Sequence, residues 1–251
     1  MRLGELMIPG THNSGAWTGV APYLSNYVYN QDRNLYEQLV FGQRYFDVRV
    51  GISPEDNTFY KKSPKEIIVI DIHKFNVPAN FQQAHHEKLL KVLEEKIGKY
   101  IIPRMYRGIN MHGPKLNTLW KTGKSIIIAY ADKETMEKNP PLWPPVRRFW
   151  GNKRTEKELL QYIIKVAGTT IPGNPMEVLM AEMTPNLVYI LTNPLKSLGY
   201  LADLINKNIT NWLCDNKLEK KVNIIASDFF LGNSLTELSM EVNDVKLSKM
   251  K

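Results

Sequence analysis

The 251 residues contain a single cysteine, Cys214. A lone thiol excludes an intrachain disulfide and any cysteine cluster around a metal, and it leans the chain towards a reducing compartment. No uninterrupted apolar run approaches eighteen residues, so the sequence offers no membrane-spanning helix. Repeats and low-complexity linkers are missing too, which leaves one domain over residues 1–251 as the expected organisation. No basic run is interleaved with aromatics, so nucleic acid is not an expected partner. Met1–Glu5 lacks the apolar centre of a signal peptide. The compartment therefore stays unknown: cytoplasmic on that absence, secreted if the N-terminus is truncated, in which case Asn208-Ile209-Thr210 is a glycosylation acceptor.

What is present is a globular composition, 43% hydrophobic and 10% aromatic, with a formal charge of +8. That charge suits an anionic partner such as a phospholipid surface or a phosphorylated headgroup, although a solvated basic surface accounts for it equally. The expected state is a monomer. Short apolar runs alternate with helical patterns, which predicts a parallel sheet wrapped by helices. Strands are expected at Leu3–Pro9, Arg44–Val50, Glu66–Ile72, Ser125–Tyr130, Val178–Met183 and Val222–Ala226. Leu89, Leu90, Leu93 and Ile97 mark one helix face, and Thr155 with Glu158 forms a capping box opening a second helix. A third helix is expected from about Leu195 to Cys214. Pro140–Pro145 reads as an ordered loop.

One interval does not fit. Gly51–Lys65 carries Pro54, Asn57 and Pro64 and has no helical period. Adjacent parallel strands need a crossover of about a dozen or more residues, usually containing a helix. Either the strands on its two sides are not neighbours, or an element has been lost.

Four polar clusters end or follow apolar strands. Leu6–Gly15 delivers His12 and Asn13 into a turn of small residues. Gly42–Val50 alternates so that Tyr45, Asp47 and Arg49 share one face, which in a closed barrel must be the ligand-lined interior. Ile67–Phe75 turns polar at Asp71, His73 and Lys74, and Asn223–Phe230 closes on Asp228. Charged groups at the carboxyl ends of parallel strands are where barrel active sites sit. His85 and His86 are adjacent in a helix and read as surface residues. His112 lies in a glycine- and proline-rich loop. Tyr130 and Trp143 are aromatics that line a headgroup site or simply pack.

These blocks, with Leu142–Gly151 and Met180–Pro185, resemble the PI-PLC X domain-containing proteins of the phosphatidylinositol-specific phospholipase C superfamily along nearly the whole chain. The resemblance implies a distorted TIM-type α/β barrel and phosphodiester cleavage in lipid metabolism, a neighbouring hydroxyl attacking phosphorus between two histidines. It implies His12 as general base, Asp228 as the carboxylate orienting its ring, and Arg49 neutralising phosphoryl oxygens. Asn13, Asp47, His73 and Tyr130 would bind substrate. Arginine at position 49 resembles the metal-free members, since calcium wants six to eight oxygens. No catalytic metal and no cofactor are therefore expected. The strand and helix that carry the second catalytic histidine have no counterpart, and their place falls in the anomalous interval near 51–65. The expected product of this sequence is thus an incomplete barrel and an impaired phosphodiesterase. The alternative is an inactive relative that binds a phosphorylated headgroup or lipid surface.

Overall fold

A computed structural model describes residues 1–17, 25–51, 66–77, 81–105, 113–169 and 176–249. Its strands are β1 (Ile8–Thr11), β2 (Tyr45–Gly51), β3 (Ile68–Val77), β4 (Ile126–Tyr130), β5 (Arg147–Phe149), β6 (Glu177–Met180) and β7 (Ile224–Ser227). The helices are α1 (Leu35–Val40), α2 (Gln83–Ile97), α3 (Leu116–Trp120), α4 (Lys133–Lys138), α5 (Glu156–Val166), α6 (Leu187–Thr192), α7 (Leu198–Asn206), α8 (Ile209–Asp215) and α9 (Leu235–Ser248).

All seven strands run parallel in the order β4-β3-β2-β1-β7-β6-β5. The sheet curls until its concave side chains meet. Ile8, Tyr45, Val69, Ile127, Val178 and Ile224 form one cluster inside it. On the convex side α5, α7, α8 and α9 cover one half, around Leu159, Ile163, Leu201, Leu213 and Leu238. The α2 leucines cover the other with Ile70, Ile72 and Ile128. Among the described residues no ladder joins β4 to β5, so the result is an incomplete TIM-type barrel.

Local rules explain the elements that place the site. Thr155 and Glu158 exchange hydrogen bonds at 3.3 and 3.2 Å, closing the capping box that starts α5. Leu159 and Ile163, one turn apart, are then fully buried. Truncating Leu159 to alanine should cost about 2–5 kcal/mol, the usual range for an emptied core position. Gly10 is required by close approach: a Cβ there would lie 2.7 Å from the Tyr45 side chain and 2.8 Å from its carbonyl oxygen. Without that side chain, β1 can lie against β2 and the two polar strand ends come level.

Three expectations change, and one open alternative is decided. The first strand begins at Ile8, because Leu3–Glu5 closes into a 3-10 turn in which Glu5 accepts from the Arg2 backbone at 2.6 Å. The Leu195–Cys214 helix is two helices, α7 and α8, divided near Lys207. The strand β5 is three residues long and was too short to show a period. Above all, β2 and β3 are direct neighbours, paired over seven positions from Tyr45–Val69 to Gly51–Val77. The barrel does not open at the anomalous interval; it is sealed there, with residues 52–65 lying outside the described set.

Candidate active site at the carboxyl ends of the strands

The strand register brings the expected polar residues to one level. Gly10 stands opposite Tyr45 on β2 and Ala226 on β7, and Ala226 stands opposite Met180 on β6. Asp47 stands opposite Asp71. Side chains two positions apart share a face. Extending the register by two therefore levels His12, Asp47, Asp71, Asp228 and Glu182 on the concave side.

His12 sits at the centre of this ring. Its Nδ1 lies 2.8 Å from Asp228 Oδ1, so the carboxylate accepts and Nδ1 carries the proton. Asn30 donates to the same oxygen at 3.0 Å, fixing the carboxylate in turn. Gln31 donates to the backbone oxygens of His12 and Ser227 at 2.8 and 3.0 Å. Asn13 adopts a left-handed conformation (φ 46°), which asparagine tolerates better than most residues, and its backbone N–H donates to Asp47 Oδ2 at 3.1 Å. Arg49 Nη2 lies 3.0 Å from His12 Nε2, the nitrogen opposite the Asp228 contact. With Nδ1–H given to Asp228, Nε2 presents its lone pair to that guanidinium.

Asp47 bridges two histidines. His12 Nε2 is 3.9 Å from one carboxylate oxygen and His73 Nδ1 is 2.5 Å from the other. His73 gains this position through a register shift: Val48 faces Ile72 but Arg49 faces Lys74, which leaves His73 as the extra residue of a bulge. Bulges re-aim side chains, often beside active sites. Deeper in the barrel Arg148 crosses from β5 to pair with Asp71 and lies 3.6 Å from Asp47 Oδ1. Tyr45 donates to Asp71 Oδ2 at 2.9 Å.

Burial and neighbours set the charges. Burial alone would lower the pKa of His12, but the carboxylates of Glu182, Asp228 and Asp47 reverse this and raise it to about 9. Proton and guanidinium therefore compete for Nε2. Asp47 is buried, which works to raise its pKa; the close His73 ring and the charges of His12, His73 and Arg148 hold it well below the usual carboxylate range. Burial lowers the pKa of His73, with Arg148 and Arg49 acting in the same direction against Asp47. Burial raises Glu182 to about 8, assisted by Asp228 and Asp47 and opposed by His12. Both Glu182 oxygens are buried without a hydrogen-bond partner in another described residue.

Of the residues expected to act, His12, Asn13, Arg49, Asp47, His73 and Asp228 are assembled here. Tyr130 is not. It is fully buried on the convex face of β4, packed under α2 with its hydroxyl 2.7 Å from His86 Nδ1. His86, expected at the surface, is 5% exposed for the same reason. Trp143 packs inside the barrel and donates to the Ile102 carbonyl at 2.9 Å. His112 lies outside the described residues. Sequence reasoning missed Glu182, although it ends an apolar strand as Asp228 does, and it missed Arg148, Asn30 and Gln31.

No family model matches the chain. Human PI-PLC X domain-containing protein 1 is 24% identical over 235 residues, covering 83% of this chain and 70% of that protein. Mouse PI-PLC X domain-containing protein 2 is 24% identical over 294 residues, covering 97% of this chain and 84% of the relative. The chain is a homologue of the PI-PLC X domain-containing proteins. The mouse alignment is longer than the chain's own 251 residues, so that homologue carries residues with no counterpart here. The fold matches phosphatidylinositol-specific phospholipase C from Listeria monocytogenes with a TM-score of 0.66 and 16% identity, covering 97% of this chain and 94% of that one. The S. aureus enzyme, a structure concerned with modulation of its membrane binding, matches at 0.60 and 16% identity, covering 95% and 92%.

Proposed function

We propose that this chain is a phosphoric diester hydrolase acting on an inositol phospholipid such as phosphatidylinositol, and that its turnover is slow. The observation that carries the reading is a histidine held by a carboxylate on one ring nitrogen with a guanidinium at the other. That is an arrangement for taking a proton beside a phosphate. Homology to proteins named for phospholipase C supports the lipid substrate.

In this reading a hydroxyl of the headgroup next to the phosphate attacks phosphorus. Its proton passes to His12 Nε2 as the new O–P bond forms. The bond to the lipid alcohol breaks, and that oxygen takes a proton from an acid on the other side of phosphorus. The products are a cyclic phosphodiester and the free lipid alcohol. Asp228 stabilises the imidazolium as it forms. Arg49 leaves Nε2 for the phosphoryl oxygens, where its charge serves as a cation would, and this releases the base. His73 is the acid: it lies across Asp47 from His12, and the direct pairing of β2 with β3 brings it there in the absence of the family's own second histidine.

Two tendencies run against this assignment: the neighbouring carboxylates favour a proton on His12 Nε2, in competition with Arg49, and burial disfavours the charged form of His73. Only the minor state with the proton exchanged is productive, which supports slow turnover. The same observation favours a second reading, in which the protonated His12 and Arg49 bind a phosphorylated headgroup without cleaving it.

The test is release of lipid alcohol and cyclic inositol phosphate from phosphatidylinositol vesicles by the full chain and by His12→Ala. The expected result is turnover below the usual range of about 1–10³ per second, lost in the variant. Headgroup binding with no product from the full chain would favour the second reading. Undiminished product from His12→Ala would overturn the assignment.

A further inference from the structure

One buried side chain joins the two strand ends that carry the candidate base. Asn30 lies in the segment before α1 and is 5% exposed. Its backbone N–H donates at 2.8 Å to Ala16, in the turn that follows His12. Its carbonyl accepts at 2.8 Å from the N–H of Phe229, directly after Asp228. Phe229 stands at φ 45°, a left-handed conformation that bulky residues rarely adopt. Asn206 braces the same corner, donating to the Asp228 and Phe229 carbonyls at 3.0 and 2.8 Å. The place of Asn30 is therefore held by backbone contacts that do not involve its side chain.

The direction of the side-chain hydrogen bonds follows from one charge. An ionised carboxylate only accepts. The end of the Asn30 amide that lies 3.0 Å from Asp228 Oδ1 is thus its NH₂ group. His12 Nδ1, 3.4 Å from that nitrogen, is the second donor on the same oxygen. The carbonyl end of Asn30 then faces the Asn13 side chain at 2.6 Å, so Asn13 donates to it through Nδ2. The Asn13 backbone N–H is already taken by Asp47. What remains at the end of this chain is the Asn13 carbonyl oxygen, which has no hydrogen-bond partner among the described residues. Asn13 is only half-buried beside His12. An amide oxygen accepts a hydroxyl and has nothing to offer a phosphoryl oxygen.

We propose that Asn30 is a positioning residue with two tasks: it holds the Asp228 carboxylate for His12, and it turns Asn13 so that its carbonyl oxygen accepts a hydroxyl of the headgroup. The site thereby prefers a phosphate whose headgroup carries a free hydroxyl over a bare phosphate. The headgroup is that of the proposed function, on which this role of Asn13 rests; the hold on Asp228 stands without it.

The charge on His12 reports the first task. The groups facing its ring are Glu182 after β6, Asp228 after β7, and Asp47 and Arg49 of β2. A donor on a carboxylate stabilises its charged form. Without the Asn30 amide, Asp228 should therefore hold the His12 proton more strongly.

The test begins with a pH titration of the His12 ring by NMR, on the full chain without lipid, its signals identified by their loss in His12→Ala. Asn30→Ala should keep His12 protonated to higher pH. Asn30→Leu, which fills the space without either polar atom, should do the same, and thermal unfolding verifies that both fold. An unshifted His12 titration in either folded variant overturns the hold on Asp228. Calorimetric binding of inositol 1-phosphate and of inorganic phosphate reads the second task. Asn13→Ala and Asn30→Leu should each bind inositol 1-phosphate about threefold to tenfold more weakly, the worth of one hydrogen bond, with no loss for inorganic phosphate. Asn13→Ala should move this binding and not the His12 titration, and it decides the acceptor role even where an Asn30 variant does not fold. Equal losses for the two compounds, or binding of neither by the full chain, overturn the acceptor role. The His12 shift requires no turnover, so an inactive chain that shows it keeps the positioning role and loses only the proposed activity.

Discussion

On the β1 and β7 side of the pocket every reacting group is held at least twice, whereas on the β3 side a single histidine is delivered by a bulge. Asp228 receives both His12 and Asn30, and Gln31 ties the backbones of β1 and β7 together just beneath them. His73 has one carboxylate contact, Asp47 Oδ1 at 2.5 Å, and its place depends on a one-residue shift in the β2–β3 register. The first side is fixed by the pairing of β1 with β7, which joins the two ends of the chain. The second exists because β3 pairs directly with β2.

A large expected effect lies on the doubly held side. Asp228→Asn keeps the shape but favours the wrong tautomer of His12, and should lower turnover by about 10²-fold or more. Product assays on phosphatidylinositol with headgroup binding measured in parallel would show the loss in rate and little in affinity. An equal loss in binding would mean that Asp228 holds substrate rather than the ring.

A smaller effect tests the electrostatics within the doubly held side. Glu182 is raised from 4.5 to about 8 and His12 from 6.5 to about 9. A raised pKa in the folded state means that the fold binds the proton more tightly than the unfolded chain. That contribution is complete below the unfolded value and disappears as pH climbs through the folded one. Thermal stability should therefore decline from about pH 4.5 towards pH 9. Glu182→Gln should flatten the decline between about pH 4.5 and 8, and His12→Ala the part between about 6.5 and 9. Parallel curves for Glu182→Gln and the full chain would show that this carboxyl is not held neutral by burial.

The smallest effect is none. If Arg49 meets the charge on phosphorus as proposed, turnover should be unchanged by a strong calcium chelator. A chelator-sensitive activity restored by calcium and lost in Asn13→Ala would move the charge stabilisation from Arg49 to a metal.

The parts of this structure that were legible in the sequence are those where local chemistry and tertiary role coincide. Polar residues ending apolar runs placed His12, His73 and Asp228 at one end of the sheet. The alternation of Tyr45, Asp47 and Arg49 gave the correct inward face. Tyr130 was misplaced because β4 is buried on both sides. A strand buried on both faces has no polar alternation to say which residues point inward. His86 was misjudged because its burial comes from Tyr130 and Phe75, which lie on other strands. Arg148 was missed since β5 has three residues and its partners lie across the barrel. The pairing of β2 with β3 was one of two alternatives that the length of the interval left open, and only the sheet order decided between them.

The proposed mechanism depends above all on His73 protonating the leaving oxygen opposite His12. A comparison of leaving groups separates that role from any other: His73→Ala and the full chain assayed on phosphatidylinositol and on an inositol p-nitrophenyl phosphodiester. The p-nitrophenolate leaves without needing a proton. The expected outcome is a loss of about 10²–10⁴ on phosphatidylinositol that shrinks to less than about tenfold on the activated ester, while His12→Ala is equally damaging on both. Equal losses on the two substrates for His73→Ala, or no loss on phosphatidylinositol, would contradict the assignment of His73 as the acid.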